Sequence, residues 1–247
     1  QLLASSAADV PADVPAATGL GSSSSFCVGL LNALYKFKAQ TVSSARLAHE
    51  ASYIECDVLK RPMGKQDQYA AAFGGINYIR FYDDEAVVIK PINMNTKNLS
   101  LFHDSVLMFW TGVTRPSESV LAEQDKNYKT NEDILNLMKD QALVLSNMLT
   151  KKELSVQEVG ELMDLGWNYK KQLASKISNN NIDEYYNKAI QSGALGGKIS
   201  GAGGGGFLLL VAEKKHQSKI INEMKKLGLS LYSFGLDSLG SVVYEIE

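Results

Sequence analysis

An α+β fold is predicted by three features of this 247-residue chain. Apolar residues recur at helical spacing over long stretches, and short apolar runs bounded by turn residues read as strands. The two kinds of element come in groups rather than in strict alternation, which argues against a doubly wound parallel sheet. At 45% hydrophobic composition the chain has material for one large core or two small ones. The formal net charge of −2 comes from dispersed Lys, Arg, Asp and Glu, so no nucleic-acid or anionic-membrane surface is indicated. The longest apolar run, Phe207 to Ala212, is far too short to span a bilayer.

Residues 1 to about 16 read as irregular or extended, because Pro11 and Pro15 disfavour helix before them. The turn Gly19-Leu20-Gly21 then opens a helix capped by Ser22 or Ser23, with Phe26, Leu30, Leu31, Leu34 and Phe37 forming its buried stripe. A second helix is expected from Thr41 to Lys60, with Leu47, Ala51, Ile54 and Val58 on one face and Pro62 ending it. Asp67 caps a short helix to Phe73, closed by Gly74-Gly75. Ile76–Tyr82 and Ala86–Ile92 read as strands across the acidic turn at residues 83–85, and Leu107–Thr111 as a buried strand.

Helices follow at Ser117–Asn127, Glu132–Leu149, Ser155–Ile177 and Ile182–Ser192, the third opened by a Ser155/Glu158 capping box. The end of the chain reads as a glycine-rich loop over Gly196–Gly206, strand Phe207–Ala212, helix His216–Leu227, and strands Leu231–Leu236 and Ser241–Ile246. The polar run Asn93–Ser100 suggests a boundary between domains at 1–96 and 97–247. Cys27 and Cys56 sit in apolar-periodic helices and read as core thiols of a cytoplasmic protein, with no disulfide framework and no Cys/His metal cluster. Oligomeric state is left open.

Three phrases carry chemistry. In Gly19-Leu20-Gly21-Ser22-Ser23-Ser24 the glycines let backbone N–H groups converge at a helix N-terminus, where the unpaired donors and the helix dipole favour a polyphosphate. The same phrase also fits a plain loop with a generous cap. Gly64-Lys65-Gln66-Asp67-Gln68 follows Glu55 by a short loop, and phosphoryl transfer to a hydroxyl needs one carboxylate at the acceptor and another to hold Mg²⁺. Taken alone, Asp67 also fits a helix cap and Glu55 a solvated helix face. The Gly196–Gly206 run ends in a strand that must be buried, so its ends are pinned and its backbone can approach a ligand closely.

In this order, Gly19–Ser23, Gly64–Gln68 and Ser200-Gly201-Ala202-Gly203-Gly204-Gly205 resemble the second motif, the catalytic-aspartate segment and the third motif of the GHMP kinases, over about Asp9 to Glu247. The resemblance implies a two-domain α+β fold: an N-terminal domain like the second domain of ribosomal protein S5 and a ferredoxin-like C-terminal domain with extra helices. Gly19-Leu20-Gly21-Ser22-Ser23-Ser24-Ser25-Phe26, Pro62–Gly75 and Phe109-Trp110-Thr111-Gly112-Val113-Thr114-Arg115 look most like the D-glycero-D-manno-heptose 7-phosphate kinases within that family.

By that resemblance ATP would lie on Gly19, Leu20, Gly21, Ser22, Ser23 and Ser24 with Gly201, Gly203 and Gly204; Ser23 and Glu55 would ligate Mg²⁺. Asp67 would be catalytic, and Lys65, Gln66 and Arg115 would meet the sugar phosphate, which needs cationic partners. The implied reaction phosphorylates the anomeric hydroxyl, giving heptose 1,7-bisphosphate for nucleotide-activated heptose and bacterial surface polysaccharide. Alternatives are a fucokinase- or galactokinase-like member and a non-catalytic sugar or nucleotide sensor. The family's first motif, with its basic helper of the aspartate, has no match, and the chain starts at Gln1, so the natural protein is expected to begin upstream.

Overall fold

The computed structural model describes residues 18–114 and 118–244. The expected extended start at residues 1–16, the start of the helix expected at Ser117, the candidate Arg115 and the end of the last expected strand lie outside them.

The first half is built on α1 (Ser22–Phe37), α2 (Ser44–Ser52) with a π-helical extension (Tyr53–Val58), and α3 (Gln66–Phe73). A hairpin of β1 (Asn77–Phe81) and β2 (Val87–Pro91) follows, antiparallel with Ile79 opposite Ile89. Val28, Leu47, Ala48, Ala51, Tyr69 and Ala72 form the core here, with Cys27, Leu31 and Tyr35 packed against it. Small residues at 48, 51 and 72 let the three helices approach closely.

The stripe expected on α1 is rotated. Phe26, Leu30 and Leu34 are exposed and Phe37 is 88% exposed, whereas Ser24 and Val28 are buried. The line Ser24, Val28, Leu31 and Tyr35 faces α2 and α3, because Ser24 must reach the buried Glu55 carboxylate and that contact sets the helix rotation. The cap also differs. Gly21 at φ 70° occupies the N-cap position with no side-chain cap, since the Ser23 and Ser24 hydroxyls are turned to Glu55. Asp67 lies inside the first turn of α3, behind an N-cap at Lys65. On the second helix Val58 is exposed, because the π turn bonds Leu59 N–H to the Ile54 carbonyl and breaks the α period there.

The second half contains α4 (Thr96–Ser105), β3 (Val106–Trp110), α5 (Glu118–Lys126), α6 (Glu132–Leu149), α7 (Val156–Lys170) and α8 (Asn180–Gln191). β4 (Gly196–Ile199), β5 (Phe207–Val211), α9 (Lys214–Lys226) and β6 (Ser230–Tyr232) complete it. The antiparallel sheet runs β4-β5-β3-β6, the strand order of a ferredoxin-like sheet. Phe109 pairs with Leu208 on one side and Leu231 on the other. Phe109, Trp167, Ile177, Ile199, Leu208, Leu210, Ile220 and Met224 are fully buried in this core. Each such aliphatic or aromatic side chain is worth about 1.5–3 kcal/mol on burial.

α4 was not expected from the polar run at 93–100, which instead supplies its cap: Asn95 accepts from Asn98 N–H at 2.8 Å. Gly196–Ile199 is a strand rather than loop, because a side chain at Gly196 would fall 2.0 Å from the Gly160 carbonyl of α7. Glycines here bring helix and sheet together. α7 stops at Lys170, seven residues short of Ile177, in a series of turns. Residues 241–244 form no strand. Residues 237–241 run beside the first half: Gly75 N–H donates to the Asp237 carbonyl at 2.6 Å and Asn32 to the Ser241 carbonyl at 3.0 Å.

Candidate active site

Glu55 is brought inside by the buried face of α2 and is 2% exposed. A buried carboxylate is tolerated only if its lone pairs are taken, and here they are. Ser23 donates to Oε1 at 2.5 Å, while Ser24 and Gln68 donate to Oε2 at 2.8 and 2.6 Å. The Arg61 guanidinium, 46% exposed, donates to Ser23 Oγ at 2.6 Å and lies 3.4 Å from Oε1. Gln68 Oε1 is buried without a partner among the described residues. Nothing local in the sequence marks Arg61, and Gln68 carries no signal beyond its place next to Asp67.

The two glycine turns meet. Gly19, at φ 78°, packs so closely on residues 200–201 that a Cβ there would lie 2.7 Å from the Ser200 carbonyl. A Cβ on Gly201 would lie 2.5 Å from the Gly19 Cα. Ser200 Oγ donates to the Thr18 carbonyl at 3.4 Å, so the α1 N-terminus and the turn after β4 form one floor. Ser22 begins α1, and the N–H groups of Ser22, Ser23 and Ser24 belong to the first turn, which has no intrahelical acceptors for them. Leu20 is at the edge of exposure.

Gly203 and Gly204, expected at the nucleotide, also make close contacts within the chain. Gly204 N–H is spent on the Ile177 carbonyl at 2.8 Å, and a Cβ on Gly203 would lie 2.7 Å from that same carbonyl. They anchor the loop on the turn after α7. Thr111 fixes its far end, donating through N and Oγ1 to the Gly206 carbonyl at 3.0 and 2.7 Å.

Asp67 projects from the first turn of α3 to the Gly21 turn, 3.3 Å from where a Gly21 Cβ would be. Burial raises its carboxyl above the ordinary value; the Gln66 side chain and the Lys198 charge oppose the rise, and Glu55 adds to it. Lys198, the one charged residue in the 196–206 run, comes from β4, and its own pKa is lowered by burial. Lys170, the last residue of α7, donates to the Gly201 carbonyl; burial and the Lys198 charge push it down to about 7. Neither lysine was a candidate from sequence. Lys198 could have been found as the lone charge in a pinned glycine run; nothing marked Lys170.

The other acceptor-side candidates divide. Lys65 forms an ion pair with Glu85 of the hairpin turn, whereas Gln66, exposed at the start of α3, turns its side chain to Asp67. Arg115 is outside the described residues. Cys27 and Cys56 are free and half-buried, with thiols raised by burial, so they are weak nucleophiles. No described helix is long and apolar enough to cross a membrane.

Comparison with known proteins identifies the family and the fold. Residues 7–75 match the family model for the GHMP kinases N terminal domain, and residues 149–229 that for the GHMP kinases C terminal. A D-glycero-alpha-D-manno-heptose 7-phosphate kinase from Campylobacter jejuni is 28% identical over 87% of this chain and 63% of its own length. A galactokinase from Pyrococcus furiosus is 27% identical over 91% of this chain and 69% of its own. The crystal structure of a D-glycero-D-manno-heptose 1-phosphate kinase from Bacteroides thetaiotaomicron superposes with a TM-score of 0.74 at 26% identity, over 94% of this chain and 66% of that one. The chain thus spans a little under two thirds of the heptose kinase from Campylobacter. With both family models matched in order, together over more than half of the chain, and the ferredoxin-like sheet and paired glycine turns in place, the chain belongs to the GHMP kinases.

Proposed function

We propose that this chain carries the catalytic centre of an ATP-dependent sugar-phosphate kinase. The single observation that bears it is Asp67: a desolvated carboxyl held against the glycine turn at the α1 N-terminus, next to a second carboxylate, Glu55. A general base must be held near the proton it takes and must not be fully neutralised by neighbours; the place of Asp67 beside the Gly21 turn, with no ion pair among the described residues, supports that role.

The floor formed by Gly19, Leu20, Gly21, Ser22, Ser23, Ser24 and Gly201 would receive the triphosphate of ATP on backbone N–H groups. Gly203 and Gly204 would support that floor rather than touch the nucleotide. Mg²⁺ would be held by Ser23 and Glu55. One carboxylate and a hydroxyl are the hard oxygen ligands that ion takes alongside phosphates, and the unpartnered Gln68 Oε1 beside them adds a polar oxygen. No group of three or more His, Cys, Asp or Glu side chains that could hold a metal occurs among the described residues. When bound, the ion neutralises charge on the transferred group.

In the reaction the acceptor oxygen attacks the γ-phosphorus, the bond to the β–γ bridging oxygen breaks, and the hydroxyl proton passes to Asp67. The acceptor we assign is D-glycero-D-manno-heptose 7-phosphate at its anomeric hydroxyl, giving heptose 1,7-bisphosphate on a route to surface polysaccharide. The Campylobacter relative's name supports this choice. We also infer two domains joined at 93–100, where α4 begins, with catalysis at their junction in the cytoplasm. ADP release measured with heptose 7-phosphate, heptose, galactose and fucose tests the reading. Turnover confined to heptose 7-phosphate is the expected result; preference for an unphosphorylated sugar would move the protein to a galactokinase- or fucokinase-like role.

A further inference from the structure

Two lysines at the floor of the site have no ion pair among the described residues. Lys198 leaves β4 and Lys170 ends α7; both residues are half-buried, and the Lys170 ammonium stands at the Gly201 carbonyl, three residues along the chain from Lys198. Lys170 uses one of its three donors on the Gly201 carbonyl. Lys198 has no hydrogen bond and no ion pair among the described residues, only a longer-range attraction to Asp67. The two cations repel each other, and Lys170 is the one held down, to about 7. Like charges brought together away from water cost free energy in the unliganded protein, and a bound anion reverses the sign of that term.

We infer that Lys198 and Lys170 form a site for a phosphoryl oxyanion beside Asp67. The site lies between the carboxyl at the Gly21 turn and the glycine turn after β4, so the guest's phosphorus stands near the hydroxyl that Asp67 serves. Two sources fit that chemistry: the γ-phosphoryl group in transit, or the phosphate already on the acceptor sugar. Either deepens the kinase reading and rests on it for the identity of the guest. The anion site itself does not depend on turnover.

The test is calorimetric titration with sulfate, a tetrahedral dianion that does not titrate near neutral pH, alongside thermal melts of the wild type, Lys198→Met, Lys170→Met and Lys198→Arg. Charge-assisted hydrogen bonds to an anion imply a loss of sulfate affinity of about tenfold or more in each Met variant, with Lys198→Arg retaining most of it. Removing one of two repelling, desolvated cations should also raise the melting temperature without sulfate, by about 2–4 °C. If Lys170 takes up a proton as the anion binds, the apparent enthalpy at pH 8 will vary with the buffer's ionisation enthalpy in the wild type and not in Lys170→Met. The titratable neighbours of the pair are Asp67 and, behind it, Glu55.

Unchanged sulfate affinity in both Met variants overturns the inference. So does a lowered melting temperature with affinity retained, the pattern expected if a carboxylate of this chain already pairs with the lysines. If sulfate behaves as expected but no sugar phosphate turns over, the anion site stands and the kinase reading fails. If turnover is seen, the arms separate the sources. A raised KM confined to heptose 7-phosphate assigns the acceptor's phosphate, whereas an equal fall in kcat with heptose and heptose 7-phosphate assigns the transferred group.

Discussion

Glu55 and Asp67 are neighbouring carboxylates treated in opposite ways by the fold. Glu55 is deeper, yet Ser23, Ser24 and Gln68 give it direct hydrogen bonds and Arg61 stands beside it. Asp67 is less buried and desolvated; the Gln66 side chain hydrogen-bonds it, and Lys198 attracts it without an ion pair. A saturated group holds structure together; an unsaturated one keeps free energy available for a ligand. Within one site, then, the donor count separates a carboxylate fixed in place, Glu55, from one left free to exchange a proton, Asp67.

The largest expected effect breaks that comparison if it fails. Asp67→Asn should cost about 10² to 10⁴ in turnover, the range of general acid–base catalysis. The same variant should melt higher at pH 7. Asp67 has its folded pKa raised above the unfolded one, so the native state binds the proton more tightly and wild-type stability falls as pH rises from the ordinary value through the folded one. The Asn variant has no such window. Near-normal turnover would reduce Asp67 to a helix-start residue.

Glu55→Ala comes next and has the opposite stability sign. It orphans the Ser24 and Gln68 donors in a buried place, for a loss of about 3 kcal/mol in denaturant unfolding. Glu55→Gln should fold better while raising the Mg²⁺ concentration needed for half-maximal rate. If Glu55→Ala were as stable as wild type, Glu55 would have to be reclassed with Asp67.

How far the sequence revealed this contrast depends on which signal each residue carried. Helix ends marked by side-chain caps were legible: Ser155 accepts from Glu158 N–H as the capping box predicts, and the hairpin at 83–85 is where the strand pattern put it. The face of α1 was not. Its apolar residues offer two stripes, and the choice was made by a polar contact, Ser24 to Glu55, across 31 positions of sequence. The packing of Gly203 and Gly204 was hidden for a related reason: glycine content reveals close approach, but the approach to the Ile177 carbonyl is a tertiary fact. Lys170 carried no local signal, because its meaning comes only from Gly201 and Lys198.

Gly201→Ala sharpens the comparison on the backbone side, with a smaller effect. At φ 63° and with Gly19 Cα 2.5 Å from the new methyl, it should cost about 1–3 kcal/mol and weaken ATP binding, because the two turns must part. Gly203→Val and Gly204→Val should lower the melting temperature first, through Ile177, and nucleotide affinity only as a consequence. Gly64→Ala is the control, since nothing lies within 4 Å of its Cβ position.

The smallest effect is expected at Lys65, and it tests where the acceptor's phosphate sits. Lys65 is 36% exposed and its partner Glu85 is 72% exposed, so the pair is a solvent-screened one worth at most about 1 kcal/mol. Lys65→Met should therefore shift the melting point little. Its charge is committed to Glu85 on the hairpin side of α3, whereas Lys198 has no ion pair among the described residues and Lys170 meets only the Gly201 carbonyl. A sugar phosphate drawn to the uncommitted charges would change its KM less than about fivefold in Lys65→Met. Steady-state kinetics of Lys65→Met beside Lys198→Met give the ranking directly. A larger KM increase from Lys65 would mean that the phosphate breaks the Glu85 pair, and the acceptor would then enter from the hairpin edge rather than over the glycine turn.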